Sequence, residues 1–142
     1  MRKKILAVAT FCLMGTSIQA SEEPLSNCFK IDEVLKVVDG DTIDVRVKLL
    51  PFSLLNDIRV RMEGINAWES RTRDPEEKKL GLAAKKRLTE LTQEEVTVCL
   101  TERGKFGRWL GTLFSGETNI NQQLIAEGHA HEYFGGKRKE FK

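Results

Sequence analysis

A small set of side chains in this sequence has the types and spacing to work on a phosphate ester. Asp39 and Asp41 flank Gly40 in the run Val37-Val38-Asp39-Gly40-Asp41-Thr42-Ile43, and Arg61, Asn66, Glu69 and Arg108 follow downstream. Cleaving a phosphodiester requires a cation to neutralise the phosphate, a positioned water, and groups that hold the charge building on the oxygens. Hard cations such as Ca²⁺ take oxygen ligands, which Asp39, Asp41 and the amide of Asn66 offer. Glu69 places a further carboxylate three residues beyond Asn66. Arg61 and Arg108 present planar forks suited to bidentate phosphate contacts. Each piece alone is weak. Asp-Gly-Asp is more often a turn than a metal site, and Arg61, Glu69 and Arg108 would each pass as solvated strand or loop residues. The set as a whole points to metal-assisted attack on a phosphodiester.

These residues need a frame, and the hydrophobic pattern supplies one. Val34 to Val38 reads as a strand. Ile43, Val45, Val47 and Leu49 alternate with polar residues, as in a half-buried strand. Pro51 to Asn56 reads as a turn or short loop. In Ile58-Arg59-Val60-Arg61-Met62 the apolar residues face inward and both arginines outward. Three β-runs before any helix suggest a meander that curls into a small barrel. A helix follows, with Asp74 as N-cap, Pro75 at its first position and Glu77 completing a capping-box pattern. Leu80, Ala83, Ala84, Leu88 and Leu91 give it an apolar face, and Gly81 within it costs about 1 kcal/mol against alanine. Val96 to Leu100 and Arg108 to Phe114 read as strands joined by a hairpin turn at Arg103 to Gly107, where glycine tolerates positive φ. Asn119 to Glu127 reads as a second helix closed by Gly128.

The chain ends carry their own signals. Arg2-Lys3-Lys4, the short apolar run Ile5 to Met14 and Ser17-Ile18-Gln19-Ala20 form a secretory signal peptide with cleavage expected after Ala20. The run is too short for a membrane anchor, so no stable membrane association is expected. Residues 21–142 then form one domain. The signal holds three of the 23 basic residues and none of the 21 acidic ones, which leaves 20 against 21, a net −1. The domain therefore has no global basic field, and a polyanion site must be a local cluster. Cys28 and Cys99 remain after cleavage, and an exported compartment favours their pairing. His129 and His131 lack further ligands for a zinc site and read as surface or lightly packed residues. Lys137-Arg138-Lys139 reads as a solvated basic tail, with salt-sensitive contact to nucleic acid as its functional alternative.

The motifs in order resemble the staphylococcal (micrococcal) nuclease, or thermonuclease, family. Val38-Asp39-Gly40-Asp41-Thr42-Ile43 is similar to its first motif. Val60 to Glu69 is similar to its second, Arg-x-x-x-x-Asp-x-Pro-Glu, and Lys105-Phe106-Gly107-Arg108 to its aromatic-Gly-Arg turn. Asn121 to Ala130 resembles its last helix. The resemblance implies an α+β fold, a five-stranded OB-type β-barrel with two or three helices. It implies a Ca²⁺-dependent endonuclease, with another divalent ion as alternative, cutting DNA and RNA with little sequence preference. Asp41, Asn66 and the carbonyl of Ala67 would hold the metal, with Asp39 and Thr42 supporting them. Glu69 would act as general base or water-positioner, and Arg61 and Arg108 would clamp the phosphate. Trp68, Arg71, Arg73 and Tyr133 would line the substrate groove. The expected protein is a periplasmic or secreted monomer. Two residues depart from the family pattern: Asn66 stands in place of an aspartate and Trp68 in place of a proline. The long C-terminal helix of the best-known member is expected to be shortened or absent. The departures motivate a second reading, a weak or inactive OB-type module that binds nucleic acid or a protein partner.

Overall fold

The computed structural model describes residues 27–49 and 54–141, with the backbone alone at Leu49. The expected signal peptide and the first part of the Pro51 turn lie outside the described residues, as does the Leu49 side chain.

Five strands close into a barrel: β1 (Cys28–Asp39), β2 (Thr42–Leu49), β3 (Leu54–Met62), β5 (Thr97–Arg103) and β6 (Trp109–Ser115). The sheet order is β3-β2-β1-β5-β6, and parallel pairing of β3 with β6 through Val60 and Trp109 closes it. β1 serves both halves of the barrel. Its first residues pair with β5 and its remainder with β2, across three register shifts that bend it. Alternation fills the interior as the pattern requires, with Ile43, Val45, Val47, Val60, Val98 and Leu113 fully buried. Cys28 lies opposite Cys99 in the β1–β5 register and the two are disulfide-bonded.

Helix α1 (Pro75–Leu91) follows the short strand β4 (Ile65–Ala67) and packs across one end of the barrel. Asp74 caps it by accepting from the N–H groups of Glu76 and Glu77 at 2.9 and 3.1 Å. The capping box is not reciprocal, because the Asp74 N–H donates to Thr72 Oγ1. The buried stripe is Gly81, Ala84 and Leu88, whereas Leu80 is 44% exposed. The expected apolar face is therefore rotated toward Gly81. A Cβ on Gly81 would lie 2.5 Å from the Glu69 carbonyl carbon, so its bare backbone is what lets the helix press on the loop carrying Glu69. Gly40 does the same from the other side. It does not have positive φ, but a Cβ there would sit 2.5 Å from Cβ of Ala84 and 2.9 Å from that of Ala67.

Helix α2 (Ile120–Ala126) is capped by Asn119 and ends in a Schellman arrangement at Gly128, whose φ is 78°. Buried Asn121 accepts from the Leu113 N–H and donates to the carbonyls of Glu63 and Gly111, which ties α2 to β6 and to the turn after β3. Strands β4, β7 (Thr118–Asn119) and β8 (Ala130–Glu132) are two or three residues long, too short for a period to show in sequence. Leu54 to Asn56, expected in a loop, extend β3 along β2 instead. Among the described residues no helix follows β8.

Candidate active site

The turn between β1 and β2 carries Asp41, which is 4% exposed. Its carbonyl accepts from the Met62 N–H at 2.8 Å, fixing the turn against the end of β3. Its carboxylate is equally constrained. Oδ1 accepts from the Thr42 hydroxyl at 2.8 Å and Oδ2 from the Ala67 N–H at 2.8 Å. Arg61 Nη2 stands 3.3 Å from Oδ2.

Arg61 is the principal correction to the strand reading. It is on the opposite side of β3 from Val60 and Met62, but it is buried where Arg59 is exposed. The cause is the chain that folds over it: the turn after β3 and the β4–β8 pair cover this end of the strand. One terminal nitrogen of Arg61 donates to the carbonyls of Met62 and Ile65, each at 2.9 Å, and the other to Asn66 Oδ1 at 3.1 Å. Burial pulls its pKa below the ordinary guanidinium value, opposed by the charge of Asp41. Arg138 and Arg108 act in the same direction as burial, which places both within electrostatic reach of Arg61. Arg61 is thus the guanidinium beside the Asp41 carboxylate, with the charges of Arg108 and Arg138 felt from farther off.

Asn66 lies in register with His131 across β4 and β8. Its amide nitrogen is 3.4 Å from His131 Nε2, so an amide N–H donates to an unprotonated ring nitrogen. Burial lowers the His131 pKa, Lys139 and Arg138 lower it further, and Asp41 opposes them. Neither histidine joins a metal cluster: among the described residues no group of three or more His, Cys, Asp or Glu could hold an ion.

Asp39 turns away from Asp41. One of its oxygens accepts from the hydroxyl of buried Ser70, and the other lies 3.4 Å from Arg71 Nη2. It thus anchors the loop immediately after Glu69. Glu69 itself projects outward, its side chain 52% exposed, and is ion-paired with Arg138. Arg138 was expected in a solvated tail, and nothing in its local sequence marks this contact, which arises only when the chain returns after β8.

Arg108 follows a 3₁₀ turn, Lys105–Gly107, in which Phe106 and Gly107 both have positive φ, 60° and 71°. Its Nε donates to the Lys105 carbonyl at 3.3 Å and its guanidinium lies 5.6 Å from the centre of the Phe106 ring. Phe106 is 91% exposed. Trp68 is half-buried between His131 and Phe141. Tyr133 is held by its N–H to Gly64 and its hydroxyl to the Gly136 carbonyl, each at 2.9 Å. Arg71 and Arg73 are exposed at the loop before α1.

The motifs thus meet at one end of the barrel, and comparison with known proteins agrees with the motif reading. Residues 59–142 match the family model described as staphylococcal nuclease homologue. The chain is 36% identical over 115 residues to a protein named micrococcal nuclease from Shigella flexneri, covering 72% of this chain and 59% of that one. It is 30% identical over 110 residues to protein ParB from Escherichia coli, covering 71% and 56%. The matches thus span less than two thirds of these relatives' lengths. With the barrel closed as that fold requires and the Asp41, Arg61, Glu69 and Arg108 motifs in register, the chain belongs to the staphylococcal nuclease homologue family.

Proposed function

We propose that this protein is an exported, metal-dependent endonuclease that hydrolyses phosphodiester bonds of DNA and RNA with little sequence preference, acting as a monomer. The observation that carries the reading is the buried Arg61 fork, held by two carbonyls and Asn66 beside the Asp41 carboxylate. Fixed this way, the Arg61 charge is in place with little ordering cost to act on charge that develops at the Asp41 centre, and direct contact with a phosphate would require Nη2 to turn from Asn66 and Asp41. The Cys28–Cys99 bridge supports an oxidising, exported compartment.

The donors at the site fit a hard divalent ion in type. Asp41 offers carboxylate oxygen, Asn66 amide oxygen and Ala67 a carbonyl, the ligand kinds Ca²⁺ accepts. Bound there, such an ion would neutralise the phosphate and acidify water. The other services fall to side chains. Exposed Glu69 can accept a proton from the attacking water once Arg138 releases it. Arg61 and Arg108 would grip the phosphate oxygens and hold the charge of the pentacoordinate state.

One observation favours a second reading, a binding module without cleavage. Asp41 is the one carboxylate among the expected ligands, and both of its oxygens already accept hydrogen bonds from the protein. A panel of Ca²⁺, Mg²⁺, Mn²⁺ and Zn²⁺ with single- and double-stranded substrates decides between them. The endonuclease reading expects cleavage of denatured DNA with Ca²⁺ or one other ion, abolished by chelator. Binding without cleavage under every ion would select the module.

A further inference from the structure

Helix α1 turns one face away from the barrel, and the composition of that face is one-sided. Leu82 is 49% exposed, and the positions three and four residues to either side of it are Lys78, Lys79, Lys85 and Lys86. Those positions are its nearest neighbours on a helix surface, so one leucine sits inside a ring of four lysines. The ring is centred about 130° around the helix from the buried stripe of Gly81, Ala84 and Leu88. Lys78, Lys79 and Lys86 are exposed and Lys85 is half-buried. Among the described residues, none of the four lysine side chains has an ion-pair or hydrogen-bond partner. The sequence from 78 to 89 contains no acidic residue, and Glu90 beyond it is engaged by Arg87. A helix face kept soluble by charge ordinarily mixes both signs in pairs one turn apart, and this face does not.

An apolar side chain ringed by unpaired cations is the chemistry of a surface-seeking helix. The ammonium groups meet anionic headgroups while the apolar centre enters the boundary below them. Lysine stems are long enough to keep the charge in water as the leucine goes in. Charge elsewhere sets the orientation. Taking these four from the 20 basic residues of 21–142 leaves 16 against 21 acidic ones, so the rest of the domain is repelled by an anionic surface. A nucleic-acid backbone would also take the cations, but it gives the leucine nothing apolar to enter. We propose that the Leu82 face of α1 docks this protein reversibly on an anionic lipid surface. The contact is peripheral, made by the folded domain, and not an anchor. The loop of Glu69 lies against Gly81, on a different side of the same helix, so the docked face and the cleavage end do not coincide. The inference stands independently of the endonuclease reading.

The test is cosedimentation with vesicles of phosphatidylglycerol and of phosphatidylcholine. It uses the oxidised protein processed at Ala20, because the expected signal segment is itself apolar. Binding is expected to the anionic vesicles alone, falling steeply with added salt. Each lysine near such a surface contributes about fivefold in affinity, so replacing all four by glutamine should weaken binding about a hundredfold or more. Leu82→Ser should weaken it about fivefold. Leu82→Trp should retain binding, and a blue shift of the added indole emission on anionic vesicles places this side chain in the boundary. Circular dichroism confirms that each variant is folded, and cleavage of free DNA should be unchanged in all of them. Equal binding to both vesicle types, or anionic-vesicle binding that survives the lysine replacement, overturns the proposal. So does a wild-type protein that ignores both vesicles but loses duplex affinity on the lysine replacement, which would assign the face to nucleic acid.

Discussion

Replacing Gly81 by alanine separates local propensity from the packing that positions Glu69. In an isolated helix this substitution stabilises by about 1 kcal/mol. Here the new Cβ would lie 2.5 Å from the Glu69 carbonyl carbon and 2.6 Å from both its oxygen and the Ser70 nitrogen. These are backbone atoms, and Ser70 is buried and tied to Asp39, so the loop cannot swing aside cheaply. Overpacking of this severity costs about 3 kcal/mol. Set against the propensity gain, the net expected loss is about 2 kcal/mol, a drop in Tm of roughly 8 °C for a domain of this size. The strain falls on the loop that aims Glu69, and a 1 Å misplacement of a reacting group costs about a hundredfold in rate. Urea unfolding of wild type and variant, with cleavage of denatured DNA measured on the same samples, checks both numbers. A Gly81→Ala protein that is more stable than wild type and equally active would refute the packing argument.

Four further outcomes are expected. Removing the disulfide by replacing Cys28 and Cys99 with alanine opens a loop with a sequence separation of 71 and should cost about 4 kcal/mol in the chain-entropy model, read from the urea midpoint. Asn66→Asp adds a carboxylate facing His131, so it should raise the His131 titration midpoint in an NMR pH series and tighten divalent-ion binding measured by calorimetry. The Arg87 hydrogen bonds hold the Glu127 carboxyl down to about 2 from 4.5, helped by Gln123. That interaction stabilises the fold above the ordinary value and is lost as pH falls toward 2, and Arg87→Gln should return the NMR midpoint of Glu127 toward 4.5. Arg61→Lys leaves the Ile65 carbonyl and Asn66 without their planar partner beside a buried carboxylate. Leaving these buried acceptors without a donor should cost about 2 kcal/mol of stability and at least a hundredfold in cleavage, by thermal melts and single-turnover kinetics.

The barrel was legible because its main strands carry clean alternation: Ile43, Val45 and Val47 declare an inner face whatever surrounds them. The α1 start was equally plain, since Asp74 and Pro75 act through local backbone chemistry. What stayed hidden arises between segments distant in sequence. Arg61 reads as an outward strand residue because period-two logic sees one strand at a time and not the β4–β8 cover. Gly81 reads as a defect until the Glu69 loop is seen lying against it. Arg138 sits in a basic run indistinguishable from any solvated tail, and only the return of the chain brings it to Glu69. The motif residues were recoverable from their order and spacing, but their supports, Ser70, Asn121 and His131, were not.

The central claim is that Glu69, carried on the loop braced by Asp39 and Gly81, works with the Asp41–Arg61 centre on a phosphodiester. The most direct measurement is single-turnover cleavage of denatured DNA by the wild-type protein and the Glu69→Gln variant at saturating divalent ion. Removing a general base typically costs 10²- to 10⁴-fold. A loss of about that size, with substrate affinity in EDTA unchanged, is the predicted result. A Glu69→Gln protein that cuts at the wild-type rate would contradict it.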